Sequence, residues 1–386
     1  MRHHRPFNVV QSNKQKRYAV ICKQGCFWHV LVRKQGRTDQ WKITNIHQPH
    51  SCLSAQAKQN HSQCTANYLA RRVLGIVQLG SETSVASLME SIFAFSGYRV
   101  SYSKAWRAKQ KAVALLWGDW KESYAMVPRH LCAMSYYNPG MFWCTHSPEL
   151  TQLDNGVWKH ILHRVFWCFP QCSESFQHCR PVVMVDGTFL TGKYKGTLLM
   201  ALAVDAEQQL VPLAFALAES ENNDSWSWFM HLVRTKVLGP SRQVCMLSDR
   251  HVGLLNCAND EIPGYPPLVH RWCMRHFTAN MWRRQKKKEV IGKLKVLCQV
   301  HTEAEFEEKL ADLKKDLNNN AKAWLEGEME DKEKWCQAFD VGGKQYGLMT
   351  NNHSKSLNNV FKGIRSRPVA GIIEYSFSKL NKYYVD

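Results

Sequence analysis

Long apolar runs are missing from this chain. No stretch of about 18 uninterrupted apolar residues occurs in its 386, so a membrane-spanning helix is not expected. The amino-terminal stretch MRHHRPFNVVQSNKQKRYAV has no apolar core of signal-peptide length, which makes a soluble intracellular protein the expectation. Acidic residues are also scarce, 32 against 51 basic ones, for a net charge of +19. Such a surplus suits a polyanion: a nucleic acid first, an acidic membrane surface second. A merely basic soluble protein is the plain alternative. Without a secretory signal the 14 cysteines read as free thiols or metal ligands rather than disulfides.

What is present begins with a cysteine and histidine cluster. FWHVLVRK and QWKITNI alternate apolar and polar residues, as half-buried strands do, with KQGR turning between them. Cys22 and Cys26 precede this hairpin and His50 and Cys52 follow it, in the pattern C-x3-C-x23-H-x-C. A hairpin brings its ends together, and four such ligands suit tetrahedral zinc. A unit this small would draw folding energy from the metal. His47 is an alternative to His50, and four unconnected residues are the bland reading. Lys14, Lys16, Arg17, Arg33, Lys34 and Arg37 surround the unit and could meet phosphates or simply be solvated.

From Ala66 to Met134 the pattern is helical. ANYLARRVLGIVQLG reads as one helix ended by Gly80, SETSVASLMESIFAFSG as a second starting at Ser81 with Glu82 in its first turn, and SYSKAWRAKQKAVALLWGD as a third. Lys104, Arg107, Lys109 and Lys111 lie on the third. The segment suits groove docking or a plain helical linker equally.

From Arg180 the texture changes. PVVMVD, GTLLMALAVDA and LVPLAFALAE read as strands, and SWSWFMHLVRTKVLG as a helix capped at Asp224 or Ser225 and ended by Gly239. QVCMLSD and a helix from RHVGLLNCA follow, which together make an α/β unit with a mixed sheet. Two buried strands end on a charge, at Asp186 and Asp249. If the strands are neighbours, the two carboxylates converge where such sheets carry their sites. Their repulsion is relieved by a hard divalent cation, magnesium or manganese. Two ordinary loop-capping aspartates are the alternative.

Here the residues carry a resemblance. The stretch from FWCFPQCSESFQHCRPVVMVDGTFL through DSWSWFMHLV, then LSDRHVGLL and HRWCMRHFTANM, resembles the transposase domain of plant Mutator-like elements. The amino-terminal C-x3-C and H-x-C pattern resembles that family's zinc DNA-binding domain, and GYRVSYSKAWRAKQKA and GDWKESYAMVPRHL its middle segment. The resemblance implies an α/β fold with an RNase H-like mixed sheet and a helical insertion, preceded by a small β-rich zinc unit and a helical segment. The corresponding boundaries are 1–60 for the zinc unit, 66–150 for the helical segment and 160–386 for the transposase domain, with its insertion at about 277–340.

The resemblance also implies an Asp-Asp-Glu triad, in which Asp186 and Asp249 match the first two acids. Cys273 and His276 match a C-x2-H signature, with His270 nearby. The third acid is expected in a stretch of the form T-x-N-x-x-E-x-x-N. Here that stretch is TNNHSKSLNN, and Lys355 stands where the glutamate is expected. Glu374 or Glu219 could substitute. The implied function is a transposase, or a DNA-binding protein derived from one, with strand cleavage lost or severely reduced. Alternatives are an active transposase using another acid, a domesticated transcriptional regulator and, last, a nuclease acting on RNA. The implied cofactors are zinc and magnesium or manganese. The partners are transposon ends or promoter DNA and, as an open case, a second copy of the chain. Arg33, Lys34, Arg37, Arg107, Arg283 and Arg284 are the DNA-contact candidates. The run Arg283, Arg284, Lys286, Lys287 and Lys288 also suits import into the nucleus. The chain stops without the carboxy-terminal zinc knuckle of many relatives, as a truncated copy or a misdrawn gene boundary would.

Overall fold

The computed structural model describes residues 7–13, 16–23, 25–36, 40–47, 49–51, 64–152, 156, 158–349 and 363–385. The chain folds as two compact units, Met1–Trp120 and Lys121–Asp386. Residues 121–150, grouped by sequence with the helical segment, belong to the second.

The first unit opens with a four-stranded antiparallel meander: β1 (Phe7–Asn13), β2 (Arg17–Cys22), β3 (His29–Lys34) and β4 (Trp41–His47). The expected hairpin is β3–β4, and β1 and β2 extend it. Four helices follow: α1 (Ala66–Arg72), α2 (Leu74–Leu79), α3 (Val85–Ser96) and α4 (Tyr102–Trp117). The single helix expected over ANYLARRVLGIVQLG is interrupted at Val73, whose backbone leaves helical geometry. The next helix starts not at Ser81 but after Ser84, whose side chain accepts from the Ser87 N–H at 3.0 Å. Residues 80–83 form a turn instead, closed by Thr83 Oγ1 donating to the Gly80 carbonyl at 2.7 Å.

The second unit begins one residue into a helix, α5 (Trp120–Tyr137), and continues with β5 (Phe142–His146), β6 (Leu150–Gln152), β7 (Trp158–His160) and β8 (Arg164–Cys168). After α6 (Pro170–His178) come β9 (Val182–Phe189), β10 (Thr197–Val204) and β11 (Leu210–Ala218). Next are α7 (Asn223–Val233), β12 (Cys245–Ser248), α8 (Val252–Ala258) and β13 (Val269–Trp272). The α7 cap is Asn222, whose side chain accepts from Ser225 N–H at 2.8 Å, rather than Asp224 or Ser225.

One seven-stranded sheet runs β13-β12-β9-β10-β11-β8-β5. From β9 to β5 the pairing is antiparallel, and β12 and β13 are parallel to β9. All eight residues of β10 and all five of β8 are buried, the signature of strands covered on both faces. Trp167 stacks on Phe215 at 5.7 Å and donates from Nε1 to Ser376 Oγ at 2.9 Å. That serine lies on the last helix, α13 (Val369–Val385), once four helices have been placed before it. These are α9 (Met274–Arg284), α10 (Lys288–Gln299), α11 (Glu303–Asp316) and α12 (Asn319–Gly327). They cover most of the span 277–340 expected as an insertion, and their separate core centres on Phe277, Phe306 and Trp335.

Candidate functional site

β9 and β12 lie side by side and parallel, with Cys245 opposite Val182 and Leu247 opposite Met184. Carrying that register two residues on puts Asp249 level with Asp186, on strands about 4.8 Å apart. The condition set by the sequence, that the two aspartate strands be neighbours, is met. Each aspartate is fixed by a local backbone bond: Asp186 Oδ1 accepts from the Gly187 N–H at 3.1 Å and Asp249 Oδ1 from the His251 N–H at 3.0 Å.

A third carboxylate joins them. Glu221 sits in the turn between β11 and α7, and its side chain lies directly over Gly187. A Cβ placed on that glycine would come within 2.7 Å of Glu221 Cδ. Burial and then the charges of Asp249 and Asp186 push the Glu221 carboxyl up to about 7. Sequence reading missed this residue, although the signal was present. β9, β10 and β11 alternate in direction, so β11 ends at the edge where β9 ends. The loop after β11 therefore returns to Asp186. Close packing holds it there: a Cβ on Gly253 of α8 would meet Trp226 Cδ1 of α7 at 2.8 Å and the Asn222 carbonyl at 2.9 Å.

The two acids named as substitutes are engaged elsewhere. Glu219 takes hydrogen bonds from Arg164 Nε at 3.0 and 3.2 Å and from Nη2 at 2.6 Å. Burial raises its pKa, but those bonds outweigh it and hold the carboxyl down to about 2. Glu374 pairs with His130 Nδ1 at 3.1 Å on α13. Lys355 lies outside the described residues.

Cys273 and His276 flank the same edge. Cys273 is buried, caps α9 and donates its N–H to the Ser248 carbonyl at 2.8 Å, a strand-to-helix junction. His276 stands 2.7 Å from Arg275 Nη2. Burial lowers its pKa, but Cys273 and, last, Asp186 outweigh that and leave it raised. His270 is held by Ser248 Oγ at 2.8 Å, and burial, then Lys334 and Arg271, lower its pKa to about 4. Arg250, next to Asp249, ties the edge to the insertion. Its guanidinium lies 4.7 Å over the Trp272 ring and pairs with Glu328 at 2.5 Å.

In the first unit, the ligand atoms of Cys22, Cys26 and His50 all lie within 4.8 Å of one another. Cys26 Sγ is 3.2 Å from His50 Nδ1, and Trp28 stacks on the His50 ring at 4.5 Å. Tetrahedral zinc, with bonds of about 2.1–2.3 Å, spaces its ligand atoms roughly 3.3–3.8 Å apart, so this group can hold a metal ion. His47 stacks on His29 instead and is not in the group. Cys52 lies outside the described residues. Among the described residues no second group brings three such atoms this close. Glu221 senses the charges of Asp249 and Asp186, but these three carboxylates are not brought that close together.

Of the proposed DNA contacts, Arg33, Arg107 and Arg283 are exposed and Lys34 half-buried. Arg284 lies 4.8 Å over Trp324 and donates to the Asn280 carbonyl at 2.8 Å. Arg37 is outside the described residues. No helix among them is long and apolar enough to cross a membrane.

Residues 182–280 match the family model of the MULE transposase domain. The matched segment runs from β9 into α9 and contains Asp186, Glu221, Asp249, Cys273 and His276. It supports the resemblance to Mutator-like transposases and a transposase-like or transposase-derived function. No curated protein matches the chain.

Proposed function

We propose that this chain is a Mutator-like transposase or a protein derived from one. It holds DNA through its basic surface and its amino-terminal metal unit, and a divalent cation through Asp186, Asp249 and Glu221. The observation that carries this is the convergence of three carboxylates at one sheet edge, inside the matched segment. The donor set is all oxygen, which suits magnesium or manganese. A bound cation there supplies Lewis-acid polarisation of a phosphodiester. The protein's part is placement: β9 and β12 set the two aspartates level, and the α7–α8 packing holds Glu221 against Gly187. The strand order β13-β12-β9-β10-β11, with its antiparallel and parallel halves, supports an RNase H-like assignment. Zinc is the ion we assign to Cys22, Cys26 and His50, with Cys52 as fourth ligand by its spacing. The basic run at the end of α9 suits nuclear import.

Lys355 occupies the place where the resemblance expects a glutamate, and a cation there opposes a second metal. On that ground strand cleavage is severely reduced. Glu221 favours a second reading, an active site whose third acid comes from the loop after β11. Nicking of supercoiled plasmid with manganese decides between them. Nicking by Lys355→Glu alone fits the first reading. Nicking by the parent that Glu221→Gln and Asp186→Asn both abolish establishes the second. If neither parent nor Lys355→Glu binds manganese calorimetrically, the carboxylate reading fails.

A further inference from the structure

A groove of about 220 Å³ runs between α9 and α10, lined by Met274, Arg275, Thr278, Trp282, Ile291 and Lys295. Helical spacing builds it. Met274, Thr278 and Trp282 are four apart on α9, as are Ile291 and Lys295 on α10, so each set shares a face. Trp282 is 39% exposed, and among the described residues its ring stacks on no other ring and lies under no cation. Its neighbours differ. Trp272, Trp324 and Trp335 all pack on Phe277, at 6.0, 5.0 and 4.9 Å. Arg275 Nε is buried and has no hydrogen-bond partner among the described residues, while its Nη2 lies 2.7 Å from His276 Nε2. Cys273, which caps α9 next to Met274, donates its N–H to the carbonyl of Ser248, the residue before Asp249, at 2.8 Å, so the groove adjoins the carboxylate edge.

We propose that this groove takes an unpaired nucleotide of DNA, with its base on Trp282 and its phosphate between Arg275 and Lys295. The lining carries two cations, a hydroxyl and an open aromatic face, and no acidic residue, which is the composition that binds nucleic acid strands. Bases inside a duplex have both faces covered by neighbours, so a tryptophan face stacks without cost to the duplex on a base already out of the stack. An acidic peptide would use the cations but leave the indole without a role. The inference rests on reading the carboxylate edge as a DNA-acting site.

The test titrates the full chain, without divalent metal, with a duplex bearing an unpaired overhang that contains 2-aminopurine, and with the blunt duplex of the same sequence. The overhang is expected to bind about tenfold more tightly, with quenched 2-aminopurine fluorescence. Trp282→Ala should remove both the preference and the quenching while keeping blunt-duplex affinity. Trp282→Phe should restore part of each, and Lys295→Gln should weaken overhang binding. A parent without preference, or an alanine variant that keeps preference and quenching, overturns the groove and leaves the carboxylate reading standing. A parent that binds neither duplex removes both. Trp282 is exposed, so a matched thermal melt is expected for its variants.

Discussion

The four-stranded and seven-stranded sheets of this protein solve burial in opposite ways. Every residue of β4 is exposed, and β2 buries only Val20 and Cys22. Every residue of β10 is buried, and β8 and most of β11 likewise. A sheet with so little apolar cover gains little from the hydrophobic effect, at roughly 25 cal/mol per Å². It needs another source of order, and Cys22, Cys26 and His50 connect the end of β2 to the segment after β4. In the larger sheet the core supplies that order. Its polar edge is left to hold Asp186, Asp249 and Glu221 against their mutual repulsion.

The widest gap between the sheets should open on metal removal. Structural zinc contributes about 10–16 kcal/mol in small metal units, more than a sheet this thin retains without it. Chelation, or Cys26→Ala, is expected to release one metal ion per chain and to abolish amide protection across β1–β4. Amides of β9–β11 should stay protected. Undiminished protection of β1–β4 in the metal-free protein would show that the small sheet stands on its packing after all.

A cavity tests the other side. Trp167 is wholly buried, stacks on Phe215 and bonds Ser376. Trp167→Ala is expected to cost about 3–5 kcal/mol in denaturant unfolding of the second unit. It should leave metal content in the first unit unchanged. A loss under 1 kcal/mol would mean that the large sheet is less core-dependent than its burial implies.

A smaller effect should appear in acid. His270 is half-buried and its pKa is lowered to about 4, so the folded chain binds its proton less readily than the unfolded chain does. Its contribution is whole above pH 6.5 and declines as pH falls toward 4, by roughly 3 kcal/mol in total. His270→Gln keeps a polar side chain near Ser248 and should flatten that slope. The melting temperature of the second unit measured from pH 7 to pH 4 checks it, and an unaltered slope in the variant counts against the assignment.

How much of this was legible beforehand differs between the two sites for a physical reason. Asp186 and Asp249 stood out because each ends an apolar run, and a charge after buried residues is a local signal. Glu221 did not, because AESENND holds several acids and nothing local ranks them. Only the reversal of β10 and β11 decides that the loop returns to Asp186. His50 over His47 is similar. Both follow the strand pattern, but His47 is the last residue of β4 and faces His29 across the ladder. The strands β1, β5, β8 and β13 were also overlooked. β1, β5 and β13 lie at sheet edges, completed by pairing with β2, β8 and β12, and β8 is buried throughout, so it shows no alternation to read.

The smallest predicted change separates fold from site most cleanly. Gly187 has ordinary strand geometry, so alanine suits its backbone, but the new Cβ would fall 2.7 Å from Glu221 Cδ. The atom in the way is the end of a flexible side chain, so the carboxylate moves and the strand stays. Gly187→Ala is therefore expected to cost about 1 kcal/mol of stability or less. It should lower manganese affinity about tenfold, equivalent to roughly 1.4 kcal/mol. Calorimetric metal titration beside a denaturation curve measures both on one sample. No such substitution is available in the small sheet, where Cys22, Cys26 and His50 would be site and staple at once. If Gly187→Ala instead unfolds the second unit, or leaves manganese binding unchanged, the carboxylate edge is part of the core's own packing, and the contrast between the two sheets fails at its most specific point.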